Sequence, residues 1–597
     1  MLTVEKVLGQ YAVIEVDSAN LIRKQAEEIA PGHEDLFVDA MGHLIESMII
    51  GHTLFLKQLT PAGLKVYQSL AALQGFGAKG LDEYMRAFNV GWGIHDYFTR
   101  EKIRPNFDVD ILKATYEANA DRMPDYVLPL DELTTLLFDD DVLARIPLCR
   151  GVYPEEVTDK AVLERIRADE NGKSPYTKVS LGTDGSVQSE NYGVVYAEDL
   201  KNIKWHQLEA AQKLEELTSL TDNEGLRLFV DYLRKEAEAN ATLEGEYPYT
   251  PSDRALIRTY KADHPVTFFS SNSFGSLYPD KFGIKKFLSG ELSVRSEDCA
   301  RLQEIVGGFG DIQRLEDHLP YEAGRRKNVP NVPVIIQDVV FRSGYNFGGA
   351  QGIAVSYTPE EKWVVDQEGT VIFCWRNMLD AKSRVIVDPI ARTILPEEFI
   401  AQYGDDFNDL LSMAFVVGVA SHEVGHVLGD QMEGKIISPR LGELYDPINE
   451  GDAEAARQYG FDLVVTDGYK GLDRRQLVRF FQHANFADMF RSMRFGKEVP
   501  YGHAAMLRLN FFNQAGAVTI DDSLKLQVDY DRLDEAAADL FARHLRILQL
   551  GDSDGAKAYD DEFDLEKNPD LYLKAQAILK EIEEKGIPRD ITMVYKT

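Results

Sequence analysis

Residues 414–430 read AFVVGVASHEVGHVLGD, so an apolar run ends in the HExxH sequence His422-Glu423-Val424-Gly425-His426. On a helix, positions i and i+4 share a face, so both imidazoles can point at one metal ion. The intervening Glu423 then lies beside that ion as general base for a water. The longest apolar stretch here, 413–420, is far below the 18 or so residues needed to cross a bilayer, and no membrane-spanning segment is expected.

The third ligand sets the subtype. An HExxHxxGxxH site would need a final His; Gly429 stands in its place but Met432 occupies the last position, and that pattern fails. Downstream, Pro447 precedes a helical stretch with Glu450 and Glu454 four apart on one face. Glu450 as third ligand, with Glu454 accepting from a ligand imidazole, completes a His-His-Glu site with one open position, the gluzincin pattern.

Composition removes several other classes. The 597 residues carry 65 Lys and Arg against 98 Asp and Glu, a net charge of −33, which argues against binding nucleic acid or an anionic membrane. Cys149, Cys299 and Cys374 are an odd, scattered set without a CxxC pair, so neither disulfides nor a Cys-based metal site is expected and a reducing, cytoplasmic location fits. The first residues lack a basic segment followed by a continuous apolar one, and no secretory signal is read.

Along the chain, residues 21–98 show helical periodicity interrupted at Pro31-Gly32 and Pro61-Ala62-Gly63. Residues 179–196 have hairpin composition around Asp184-Gly185, and helical spacing returns over 200–241. Residues 265–294 and 332–387 are rich in Val, Ile, Phe and Tyr with Gly clusters, which predicts strands and tight loops. Helices are expected over 396–402 and 407–428, and 450–589 reads as mostly helical.

These residues resemble the dipeptidyl peptidase III family of zinc exopeptidases. The matches run in family order from about Trp92 to Arg546. They comprise Gly93-Ile94-His95-Asp96-Tyr97-Phe98 with Lys102 to Pro105, Leu277-Tyr278-Pro279-Asp280-Lys281-Phe282-Gly283, Gly344-Tyr345-Asn346, and Glu368-Gly369 leading to Asn377-Met378-Leu379. The HEVGH motif, Asn449-Glu450 to Glu454, Gly502-His503-Ala504 to Gly516, and 524–546 complete the set.

The resemblance implies an α+β protein of two lobes separated by a wide cleft. A mixed lobe with a β-barrel-like core would comprise 1–297 and 336–391, and a mostly helical, zinc-bearing lobe 298–335 and 392–597. It implies one Zn²⁺ per chain on His422, His426 and Glu450, Glu423 as base, Tyr278 and His503 as donors to the tetrahedral intermediate, and short peptides as substrates. Asn346, Asn377 and strand-edge backbone would hold an extended peptide, and lobe closure would bring Tyr278 to the zinc. No nucleic-acid or membrane partner is expected, and no oligomeric state follows from the sequence.

The chain departs from the family in two places. Most members have a six-residue HExxGH, whereas the spacing here is the five-residue form. Where the family holds the peptide's N-terminal ammonium with glutamates and a GxNxPN loop, this chain has Ser276, Ser289, Asn346 and Gly348-Gly349, while Asp280 and Glu368 are acids able to take over amine binding. A buried ammonium without acceptors costs roughly several kcal/mol. Two other readings therefore stand beside the dipeptidyl one: a zinc hydrolase of the same fold acting on a non-peptide amide or other small molecule, and a catalytically silent peptide-binding scaffold.

Overall fold

The structure is a computed structural model describing residues 1–597 except 146, 147, 222, 277, 278, 281, 350, 360, 433, 466, 467 and 597; the side chains of 143–145, 301, 305, 307, 308, 434 and 435 are also outside the description. Contacts divide the chain into two compact units: Met1–Val294 with Val339–Gln351 and Asp590–Thr597, and Arg295–Asp338 with Gly352–Arg589.

The first unit is built on long helices, among them α1 (Glu34–Leu59), α2 (Ala197–Thr221) and α3 (Glu224–Thr242), with strands β1 (Phe268–Ser276) and β2 (Phe287–Val294). The expected hairpin forms as Thr177–Leu181 against Val187–Asn191, antiparallel around Asp184-Gly185. The strand Asp590–Lys596 pairs in parallel with Tyr11–Asp17, which is why this segment joins the first unit rather than the helical one expected for it. β1 is buried on both faces because α1 and α3 flank it: Asn272 donates from Nδ2 to the Ser47 carbonyl at 2.8 Å, and Asn240 donates to the Asn272 carbonyl at 2.8 Å.

Glu236 on α3 lies in that layer. Its carboxylate accepts from Tyr232 and Gln207 at 2.7 Å and from Ser271 at 2.9 Å, yet burial still pushes its pKa up to about 7. A carboxyl whose pKa is raised on folding contributes its full stability at low pH and loses it as pH rises from about 4.5 to about 7. Glu236→Gln is expected to flatten that dependence and to raise stability at pH 8 by about 3 kcal/mol, read as the difference in urea midpoint between pH 5 and pH 8.

The division of the chain falls within strand β3 (Val334–Gly344), after Asp338, and β4 (Ala354–Tyr357) and β5 (Val371–Trp375) belong to the second unit. The sheet has the order β1-β2-β3-β5-β4; β5 is parallel to the first half of β3 and antiparallel to β4. It is open, so the β core is a five-stranded sheet and not a closed barrel. The strand-rich reading of 332–387 extends too far: the chain turns helical at Arg376–Lys382 and stays so to Ile394, because Asp338 accepts from the Arg376 side chain and the Asn377 backbone N–H and starts a helix there.

The second unit is predominantly helical. Its central members are α4 (Phe407–Gly425), α5 (Tyr445–Val464), α6 (Arg474–Met493), α7 (Pro500–Gln514) and α8 (Tyr530–Leu550). α4 is buried along almost its whole length, as an apolar helix surrounded by others must be, and β4 and β5 pack on it. Residues 352–391, expected in the mixed lobe, therefore fall in the unit that carries the HExxH motif. Among the described residues no helix is long and apolar enough to cross a membrane.

Candidate metal centre

The centre is made where α4 ends against the first turns of α5. α4 stops at Gly425, and His426 keeps helical dihedrals (φ −59°, ψ −19°), so the i,i+4 relation of the two imidazoles survives the helix end. The carbonyl end of a helix favours a cation.

Gly425 sits where the helices meet backbone to backbone. A Cβ there would lie 2.8 Å from the Ala453 Cα and the Ala456 Cβ. Gly425→Ala must push α5 away, and a loss of about 1–3 kcal/mol is expected in chemical denaturation, the range for an overpacked core.

The three predicted ligands converge. His422 Nε2 and His426 Nε2 are 3.2 Å apart, Glu450 Oε2 lies 3.3 Å from the first and 3.8 Å from the second, and the three can hold a metal ion. Donors about 2.0–2.1 Å from one tetrahedral ion stand about 3.3 Å from each other. Two imidazole nitrogens and a carboxylate oxygen at these separations therefore fit a divalent zinc-type ion. Among the described residues no other group of three such side chains does so.

Behind this triad, Glu454 Oε1 stands 3.2 Å from His422 Nδ1, which leaves Nε2 for the metal side. Arg508 donates to Glu454 at 2.6 Å and Arg457 lies 3.5 Å away. Burial alone would raise the pKa of Glu454, but the two guanidiniums hold it well below the carboxylate range. Arg457 reaches on to Asp488 at 2.5 Å, and Arg491 meets the same carboxylate at 2.5 Å.

Burial opposes charge on His422, but Glu450 and Glu454 outweigh it and raise its pKa to about 10. His426, with weaker anionic help, is pulled down by burial to about 4. Burial pushes Glu423 up to about 7, a range suited to taking and returning a proton near neutrality. Cys374 is a buried free thiol nearby, as expected of a core residue.

The remaining sequence-derived candidates distribute differently. His503 lies on α7 with Nε2 2.7 Å from Asp560 Oδ1. Asn377 is in the second unit, where its N–H donates to Asp338, and Asn346 in the first, where its N–H donates to the Ser343 carbonyl at 3.2 Å. Tyr278 lies outside the described residues. Asp280 is buried and fully engaged: it accepts from the N–H groups of Phe282, Ile284 and Lys285 and from Tyr153 Oη at 2.5 Å, so it is not available to an amine.

Sequence reasoning missed Tyr501, whose hydroxyl donates to Glu450 and whose ring centroid is 6.4 Å from that of His422. The only sequence signal was its place two residues before His503.

An α+β chain with a His-His-Glu cluster at the junction of two buried helices defines a candidate metalloprotein of mixed fold. More specifically, it has the fold of dipeptidyl peptidase III. The structure of that protein from Caldithrix abyssi superimposes with a TM-score of 0.70 and 20% identity, covering 99% of both chains. The dipeptidyl-peptidase III structure from Corallococcus sp. strain EGB gives 0.72 and 21%, covering 99% of this chain and 96% of that one. Among curated proteins, Nudix hydrolase 3 of Arabidopsis thaliana is 25% identical over 328 residues, 53% of this chain and 40% of that protein, so the match spans less than half of that relative. No protein-family profile matches the chain.

Proposed function

We propose that this chain is a zinc-dependent peptidase of the dipeptidyl peptidase III family that hydrolyses short peptides. The observation that carries the reading is the convergence of His422, His426 and Glu450, with Glu423 next to His422 in sequence, in a chain whose fold matches those peptidase structures over nearly its full length. The three buried cysteines, none in a disulfide, suit a cytoplasmic location.

Zinc held by His422, His426 and Glu450 would supply Lewis acidity, polarising the scissile carbonyl and acidifying an adjacent water. Glu423 takes the proton of that water on its carboxylate and later returns it to the leaving amine nitrogen. Glu454, fixed by Arg508 and Arg457, places a carboxylate oxygen 3.2 Å from His422 Nδ1 and so favours the ring orientation that turns Nε2 to the metal side. The resemblance carries the oxyanion contacts to Tyr278 and His503, and peptide binding to Asn346 and Asn377.

A second reading has one specific support. Serines stand at 276 and 289 where the family has glutamates, and Asp280 is engaged by its own turn, which leaves Glu368 as the acid named in the sequence for the substrate ammonium. Cleavage at another register, or of a non-peptide amide, is the alternative.

Products from an unstructured octapeptide, offered with free and with acetylated N-terminus, separate these readings by mass spectrometry. Cleavage that stops on chelation and returns with zinc supports the peptidase. Restriction to the free amine with dipeptide release supports the family register, and indifference to acetylation an altered one. An absence of cleavage, or cleavage insensitive to chelation, overturns the reading.

A further inference from the structure

In the first unit α1 and α2 pack along each other, and ion pairs from Lys57 to Asp199 at 2.7 Å and from Lys213 to Asp39 at 3.8 Å hold their register. The same seam brings two imidazoles together: Nδ1 of His43 on α1 stands 3.1 Å from Nδ1 of His206 on α2. We propose that this pair is a second metal site, which takes an imidazole-preferring divalent ion, zinc or copper(II), and ties α1 to α2. The HExxH centre belongs to the second unit, so this site stands whether or not the chain is a peptidase.

The separation suits an ion. Two nitrogens bound at about 2.0–2.1 Å stand about 3.3 Å apart on a tetrahedral ion and about 2.9 Å apart at adjacent corners of a square one. The 3.1 Å between His43 and His206 lies between these values. As a hydrogen-bonded pair, one ring donates its Nδ1–H to the other. When an ion binds, that ring carries its proton on Nε2 instead, so both Nδ1 lone pairs face the metal and neither ring changes charge.

The surroundings favour a dication. Glu46 and Glu209 follow the two histidines by three residues, one turn along each helix, and both act on His206 as negative charges. With water, these carboxylates can supply the ligands that two imidazoles leave open. Both rings are half-buried and rise from helix interiors whose register is fixed, so the nitrogens meet before any ion arrives. The net charge of −33 also draws cations to the chain.

Trp205 gives the site its own reporter. Its ring centroid lies 4.6 Å from that of His206 and 5.6 Å from that of His43, edge-on to both. The test titrates the full chain, pre-incubated with one equivalent of zinc, with copper(II), which quenches an indole it approaches this closely. Saturable quenching at one copper ion per chain is expected, and Trp205→Phe should remove it. By isothermal titration His43→Gln and His206→Gln should each weaken copper binding at least about 10-fold, while Glu450→Ala leaves it unchanged. Copper should raise the thermal midpoint of the wild type and not of the histidine variants, because an ion held by both helices binds the folded chain alone.

A titration without saturable quenching, or one unchanged by both histidine substitutions, would make the pair only a hydrogen bond between helices and overturn the site. Quenching that persists in Trp205→Phe would also overturn it. So would loss of copper binding in Glu450→Ala, which would place the ion at the HExxH centre.

Discussion

Glu423→Gln is expected to lower kcat by about 10³–10⁴-fold while the chain still binds one zinc ion. The two effects separate because Glu423 occupies the position between the two histidines in sequence but is not among the three side chains whose donor atoms meet. Its carboxylate is held near the point of proton transfer by a site that pushes its pKa up to about 7 before any metal is bound, burial being the main cause. A dication alongside would pull that value down, so the ionised form would be present at neutral pH. Activity should therefore rise with pH through the acidic range as Glu423 loses its proton. The glutamine variant keeps the shape but can neither accept nor return a proton, so it should lose the acidic limb along with the rate. Zinc content from elemental analysis and the pH profile of residual turnover check both halves.

Asp488→Ala is expected to cost about 3–5 kcal/mol, the loss typical when one partner of a buried ion pair is removed. Asp488 is almost fully buried and accepts from both Arg457 and Arg491 at 2.5 Å. Without it, two guanidiniums face each other away from water, and Arg457 leans only on Glu454, 3.5 Å away. Since Glu454 also fixes the His422 ring, zinc affinity should fall as well, by about tenfold if the orientation of the ring is lost. Adding Arg491→Met to Asp488→Ala removes one unpaired charge and should recover a measurable part of the stability, a non-additivity that a double-mutant cycle in urea reads directly. A single-variant loss below about 1 kcal/mol would show that these charges are solvated and not a buried network.

The convergence of His422, His426 and Glu450 was legible because its information is local. His422 and His426 are fixed by helical spacing, Glu450 and Glu454 by the same spacing one helix later, and neither needs the rest of the fold to be inferred. The network behind it was not. Arg508 meets Glu454 across 54 residues and Arg457 meets Asp488 across 31, and no periodicity carries such a pairing.

Tyr501 was passed over for the same reason. On one helix, residues two apart point in different directions, and only the placement of α7 against α5 decides which of Tyr501 and His503 reaches Glu450. Asp280 shows the converse: in sequence it is an acid beside a matched motif, whereas in the fold its two oxygens are consumed by a turn it holds together. In the fold, helices and the hairpin at Asp184-Gly185 could be read from period and turn chemistry. The helical stretch after Trp375 could not, because its apolar composition fits a buried strand equally well until Asp338 caps it.

Zinc titration of the metal-free chain against a competing chromophoric chelator, run beside Glu450→Ala and His426→Ala, tests the assignment at its base. One tight site per chain in the wild type, weakened at least about 100-fold in each variant, is the result required if these side chains hold the catalytic ion. Binding that survives both substitutions, or a wild-type chain that takes up no zinc, would contradict it.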